Sequence, residues 1–350
     1  MIFFLSNFIL SNSYLVLRYL IATGGYHYGS SVKTEILDLS DSSLSCLIEE
    51  EDISNRFRST GGMLGTIPVI CGGYASGTYL NECLLYGTTS QVITMNSIRV
   101  GHSSVALNNS MLWILGGSNH GGTSSGYHLD STEFITTNGA SNGPKLPAPV
   151  SDSCAVKFPG NGNVYLIGGK TPSGFSNNVW MSNPSNNFAF KQGPSLITAR
   201  GYHTCGSMSI GVKSIIVAAG GQPGFLKSVE ILDPLSNQWM EGKKESTICV
   251  LDCNSIIINH KWFSTGPELP YGIVYSAMAP SPDGNGVILV GGLSGNTLDS
   301  ILELKSDGLG WVGSWTTLPT KLQYARRMHI VIPMFMKRDI CELSGIIPDQ

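Results

Sequence analysis

Short apolar, mostly β-branched runs end in Gly-Gly six times along the chain, and polar loops separate them. The runs are LIATGG (20–25), VICGG (69–73), LWILGG (112–117), VYLIGG (164–169), IIVAAGG (215–221) and VILVGG (287–292). Runs of this length bounded by turn residues read as strands buried on both faces. Their second glycines, from Gly25 to Gly292, are spaced by 48, 44, 52, 52 and 71 residues. After each pair come a polar loop and a half-buried strand: VKTEILDL, YLNECLLYG, LDSTEFIT, NNVWMSN, KSVEILDP and DSILELK. An outer strand follows, with tryptophan at Trp239, Trp311 and Trp315. Four strands per unit at this spacing predict an all-β, six-bladed β-propeller, since one blade cannot bury its own faces and a ring can.

The ring is expected to close through its last strand. Arg99/His102 and Arg200/His203 open later blades as R-x-x-H, and Arg326/His329 repeat the motif in a surplus segment, ARRMHIVIPM (325–334). That segment should lie innermost in the first blade, beside residues 20–23, and remove the exposed edges. Arginine opens blades one, two, three and five as Arg326, Arg56, Arg99 and Arg200. Glutamate stands in the third strand of the same four blades as Glu35, Glu82, Glu133 and Glu230. Blades four and six carry Val150 with Val179, and Ile273 with Ile301. Charges present or absent together are what a poorly solvated ion pair requires. An arginine ring reading an acidic ligand is the competing interpretation.

The ring is assigned to residues 18–335, with an apolar segment before it (1–17) and a tail after it (336–350). MIFFLSNFIL lacks the basic start and small-residue cleavage site of a signal peptide, and polar residues interrupt it too often for a spanning helix. A poor signal peptide and a misread start are equal readings of it. The long fifth step reads as an insertion over 240–261, a functional loop or, preferably, a misread splice junction.

The Gly-Gly pairs, the glutamate-bearing strands, EILDPLSNQW and the R-x-x-H openings resemble the kelch-repeat family. SCLIEEEDISNRFRSTGG with NECLLYG is similar to cysteine-bearing invertebrate kelch proteins, many of them secreted. The aromatic expected after the glutamate is missing, as at Leu37 and Ile135. The resemblance implies a galactose-oxidase-like central domain without catalysis. Kelch-type propellers also include copper-radical oxidases, sugar isomerases and substrate receptors of ubiquitin ligases.

Composition narrows the choice. Of 350 residues 42% are hydrophobic and 13% charged, which supplies a core, and a net charge of -3 without basic clusters argues against nucleic acid. Among eight cysteines no C-x-x-C occurs, and Cys249 with Cys253 lacks a second ligand pair, so neither metal nor cofactor is expected. His27, His120 and His128 read as solvated loop residues, and no phosphate-cradling loop is present. Tyr26, His27, Tyr28, Tyr74, Tyr79, Asn119, His120, Phe175 and Phe225 follow the Gly-Gly pairs and form the expected ligand-binding loop face. The expected function is a monomeric, non-catalytic scaffold that binds a protein partner through these loops. A carbohydrate-active or oxidase-like enzyme and a ligase substrate receptor are the alternatives. Cys71 and Cys83 stand opposite each other in a hairpin centred on Gly77 and are expected to form a disulfide, whereas Cys154 and Cys205 read as small buried apolar residues. Secretion is favoured over a cytoplasmic location, with Asn108 as an available glycosylation acceptor.

Overall fold

The computed structural model describes residues 19–27, 32–39, 46–48, 56–86, 91–120, 127–210, 213–233, 237–241, 267–306 and 312–334. Six four-stranded antiparallel sheets form the blades of a propeller. Blade 2 runs outward through Thr60–Leu64, Ile67–Cys71, Glu82–Leu85 and Val92–Thr94. Blade 3 comprises Ser103–Asn108, Met111–Leu115, Thr132–Thr136 and Gly139–Asn142. Blade 4 comprises Cys154–Lys157, Val164–Ile167, Val179–Ser182 and Phe190–Gln192. Thr204–Ile210, Lys213–Ala219, Val229–Asp233 and Gln238–Glu241 make blade 5. Ala277–Pro280, Gly286–Val290, Ile301–Ser306 and Val312–Thr317 make blade 6.

Blade 1 is assembled from both ends of the ring. Ile330–Met334 lies innermost and pairs with Tyr19–Thr23, with Ile21 opposite Ile332, and Thr34–Asp38 and Cys46–Ile48 lie outside. Each innermost strand packs against those of the neighbouring blades, and Ile330–Met334 fills the place between blade 6 and blade 2.

The second strands are buried throughout in blades 1, 4 and 6, as continuous apolar runs should be. Two of the third strands differ from expectation. Thr34–Asp38 and Val229–Asp233 are buried along their whole length rather than on one face, because neighbouring blades cover both sides. The expected half-buried alternation is kept in the third strand of blade 2, Glu82–Leu85, and also appears in an innermost strand, Ser103–Asn108.

The Gly-Gly pair is a clasp between blades. All twelve glycines of the six pairs have positive φ. A Cβ on the first glycine would stand 2.3 to 2.6 Å from the carbonyl oxygen of the residue opening the next blade: Arg56, Arg99, Val150, Arg200, Ile273 or Arg326. The N–H of the second glycine donates to that same carbonyl, at 2.6 to 2.8 Å. Only a residue without a side chain admits so close a neighbouring backbone.

The apolar N-terminal segment, Tyr28, the tail and residues 242–261 of the expected insertion lie outside the described residues. Met240 and Glu241 complete the outer strand of blade 5. Trp239 on that strand donates from Nε1 to the Pro194 carbonyl at 2.9 Å, and Trp315 in blade 6 donates to Pro267 at 3.1 Å.

Candidate functional site on the loop face

The residue two places after each blade-opening position faces the axis: Arg58, Gly101, Asp152, Tyr202, Tyr275 and Met328. All six have φ between 51° and 59°. Five carry side chains, for which the left-handed region costs roughly 1 to 3 kcal/mol each. The strain is held by a closed belt of backbone hydrogen bonds, each N–H donating to the carbonyl of the ring residue one blade back. Gly101 donates to Arg58 (2.9 Å), Asp152 to Gly101 (2.6 Å), Tyr202 to Asp152 (2.9 Å), Tyr275 to Tyr202 (3.0 Å), Met328 to Tyr275 (3.0 Å) and Arg58 to Met328 (2.9 Å).

These side chains line a cavity of about 130 Å³ at the axial mouth. Arg58 reaches over Gly101 to the Asp152 carboxylate at 2.6 Å, and a Cβ on Gly101 would collide with both. Burial opposes the Arg58 charge, but the Asp152 carboxylate more than offsets it and raises the guanidinium pKa. Ser151 Oγ donates to the other Asp152 oxygen at 2.8 Å and lies 3.1 Å from His128 Nδ1. His128 is therefore buried in a hydrogen-bonded chain, not solvated as its loop position suggested. Burial, then the Asp152 charge, raises the phenol pKa of Tyr202 and of Tyr275, so both stay neutral hydrogen-bond donors.

Around this mouth lies an aromatic strip. Tyr26, Phe57, Tyr74, Tyr79, His120 and Tyr127 follow one another across blades 1 to 3, with ring centroids 4.7 to 6.1 Å apart. Arg327 sits over Tyr26 at 5.2 Å. Short backbone bridges such as Phe57 to Tyr74 and Val100 to Ser118 place the post-Gly-Gly loops on the face of the axial ring. Four residues expected on the loop face (Tyr26, Tyr74, Tyr79 and His120) are brought together, and Phe57 and Tyr127 join them. His27 is partly buried and Asn119 exposed nearby. Phe175 packs on Tyr202 across the ring, and Phe225 in blade 5 is 39% exposed and apart from the strip. The R-x-x-H motif marks only half of the axial set, Gly101, Tyr202 and Met328, two residues beyond its arginines. Phe57 and Tyr127 carried no repeat signal.

The blade-opening arginines serve the frame. Arg99 meets Glu133 at 2.9 Å and Arg200 meets Glu230 at 2.6 Å, all four side chains buried, and Arg326 pairs with buried Glu35. Each of these carboxylates also accepts two backbone N–H bonds from the connection into its blade, as Glu133 does from Asn96 and Ser97. Arg56 with Glu82 is different. The pair is longer, at 3.3 Å, and the Glu82 side chain is 46% exposed, so it is solvated where the other three are dry. Changing Glu133→Leu alone should cost about 3 to 5 kcal/mol, because Arg99 would be left charged and buried. The double change Arg99→Val with Glu133→Val imitates blade 4 and should recover much of that loss in urea unfolding. A double variant as unstable as the sum of the singles would show that the two are uncoupled.

Cys71 stands opposite Cys83 in the blade 2 ladder, and the two form a disulfide. Cys154 and Cys205 are also joined, with Cα atoms 5.9 Å apart, which corrects their reading as isolated apolar residues. Cys154 lies four residues after Val150, whereas Cys205 lies five after Arg200. An offset of one turns a strand side chain to the opposite face, so the two cysteines look at each other across the gap between blades 4 and 5.

Among the described residues no group of three potential ligands could hold a metal ion, and no helix is long and apolar enough to cross a membrane. No family model matches the chain, and no curated protein matches it. The solved structure of YjhT is similar in fold, with a TM-score of 0.61, 13% identity, and coverage of 86% of this chain and 97% of that one.

Proposed function

We propose that this chain is a kelch-type propeller whose loop face binds a protein partner without catalysing a reaction. The observation that carries the reading is the aromatic strip from Tyr26 to Tyr127, mounted on loops that the Gly-Gly clasps hold rigid. Large, partly exposed rings with restricted side chains are the residues that supply most binding energy at protein interfaces. The propeller architecture is compatible with such a scaffold, since loops on a rigid frame are where binding residues concentrate. The reading includes an extracellular setting, toward which the two disulfides point.

The test is quantitative capture by three purified proteins of matched melting temperature: wild type, Tyr74→Ala with Tyr79→Ala, and Val92→Ala on the outer strand of blade 2. A partner held by wild type and Val92→Ala but lost by the tyrosine variant supports the strip. Equal capture of every partner by all three removes it.

A further inference from the structure

We infer that the mouth of the axial channel is a binding site for a carboxylate group, formed by Arg58, Tyr202 and Tyr275. A ring that served closure alone would be best built from glycine at every left-handed position, as at Gly101. Instead an arginine, an aspartate, two tyrosines and a methionine are forced into that conformation, and backbone strain kept in this way concentrates at functional sites.

Of the two charged side chains that meet at the mouth, the one with capacity left over is the donor, Arg58; the neutral imidazoles of His102, His203 and His329 also keep unpaired ring nitrogens, but they are wedged between glycines. Asp152 is occupied at both oxygens, by Arg58 and by Ser151. Arg58 Nε is buried and has no acceptor among the described residues, and the same holds for Arg327 Nε at the rim. The phenol of Tyr275 adds a neutral O–H group beside them, and that of Tyr202, its ring centroid 4.7 Å away, adds a second that is directed at Asp152 until an incoming acceptor competes for it. An acceptor-rich group is what such a cavity lacks.

Charge selects an anion among acceptors. Asp152, Arg58 and Arg327 lie within electrostatic reach of Tyr275, and Asp152, Lys170 and Arg58 within reach of His128. Asp152 is the one carboxylate in that set, against three cations. A planar guanidinium with a free Nε–H suits a carboxylate better than a point charge would. The cavity of about 130 Å³ admits a group of several non-hydrogen atoms but not a folded segment. The carboxylate could come from a small free acid or from an acidic side chain.

The assignment does not depend on the aromatic strip as a partner surface. The full chain would be titrated calorimetrically with acetate, with acetamide as its neutral isostere, and with a short acetylated and amidated peptide carrying one aspartate. Acetate or the peptide should bind at least about tenfold more tightly than acetamide, in keeping with a charge-assisted hydrogen bond. Tyr202→Phe with Tyr275→Phe should weaken that binding about tenfold at an unchanged melting temperature. Arg58→Lys should also weaken it, and Tyr74→Ala with Tyr79→Ala should not. Acetate as strong as the peptide identifies a free acid as the source, and a preference for the peptide identifies a side chain. Indistinguishable affinities for acetate, peptide and acetamide overturn the assignment, as does unaltered binding by the phenylalanine variant.

Discussion

A chain that stops before Arg326 should lose its cooperative unfolding transition and associate through the edge of Tyr19–Thr23. Four losses coincide in that truncation. The innermost strand of blade 1 disappears, with buried Ile330 and Ile332, and its removal leaves Tyr19–Thr23 as an unpaired ladder edge. Glu35 stays buried without Arg326, and an unpaired buried charge alone costs about 3 to 5 kcal/mol. Arg326 also donates to the carbonyls of Ala22, Gly24 and Lys33, which would lose that partner. The axial belt opens at Met328, between Tyr275 and Arg58. Together these are comparable with the 5 to 15 kcal/mol or so by which a domain is ordinarily stable. Size-exclusion chromatography and a thermal melt decide the matter. A truncated chain that remains monomeric with the melting temperature of the intact protein would disprove closure by this strand.

Acid should weaken the ring well above the pH at which carboxylates ordinarily protonate. His102, His203 and His329 are fully buried, and burial, then the charges of Arg99, Arg200 and Arg326, lower each to about 3. In the unfolded chain each returns to about 6.5. The unfolded state therefore binds more protons between those values. The stabilisation is complete above about pH 6.5 and is lost progressively as pH falls toward 3. At pH 5 the loss is about 2 kcal/mol for each histidine and about 6 kcal/mol for the three. Urea midpoints measured from pH 8 to 4.5 should fall steadily below pH 6.5. His203→Asn should reduce that slope by about one proton. A midpoint unchanged between pH 7.5 and 5 would mean the three imidazoles are not held neutral.

Much of the frame was legible because its signals are local and repeated. The Gly-Gly pairs mark a backbone clasp that no other residue tolerates, so their phase gave the blades. The surplus R-x-x-H at Arg326 identified the strand that closes the first blade. The axial ring was not legible in the same way. Arg58, Asp152, Tyr202, Tyr275 and Met328 share a conformation but no residue type, and the φ that unites them leaves no mark in composition. Phe57 and Tyr127 were missed because their neighbours in the strip belong to other loops. The disulfide between Cys154 and Cys205 needed the relative rotation of two blades, which hairpin reasoning does not contain.

The residue three places after each opening position alternates around the axis: His329, Ser59, His102, Ser153, His203 and Ser276. Each histidine is wedged between glycines of two blades, its Cβ near the second glycine of its own pair and its Cε1 near the first glycine of the blade before, as with Gly117 and Gly72 for His102. The three dry arginine–glutamate pairs fall in the same alternate blades, 1, 3 and 5. The interior thus has threefold rather than sixfold pseudosymmetry, and its true modular unit is a doublet of blades. Deleting or duplicating a single blade would set two histidine blades or two serine blades side by side, with mismatched clefts between them. Recombination, by nature or by an engineer, would preserve the alternation only when it moves blades in twos.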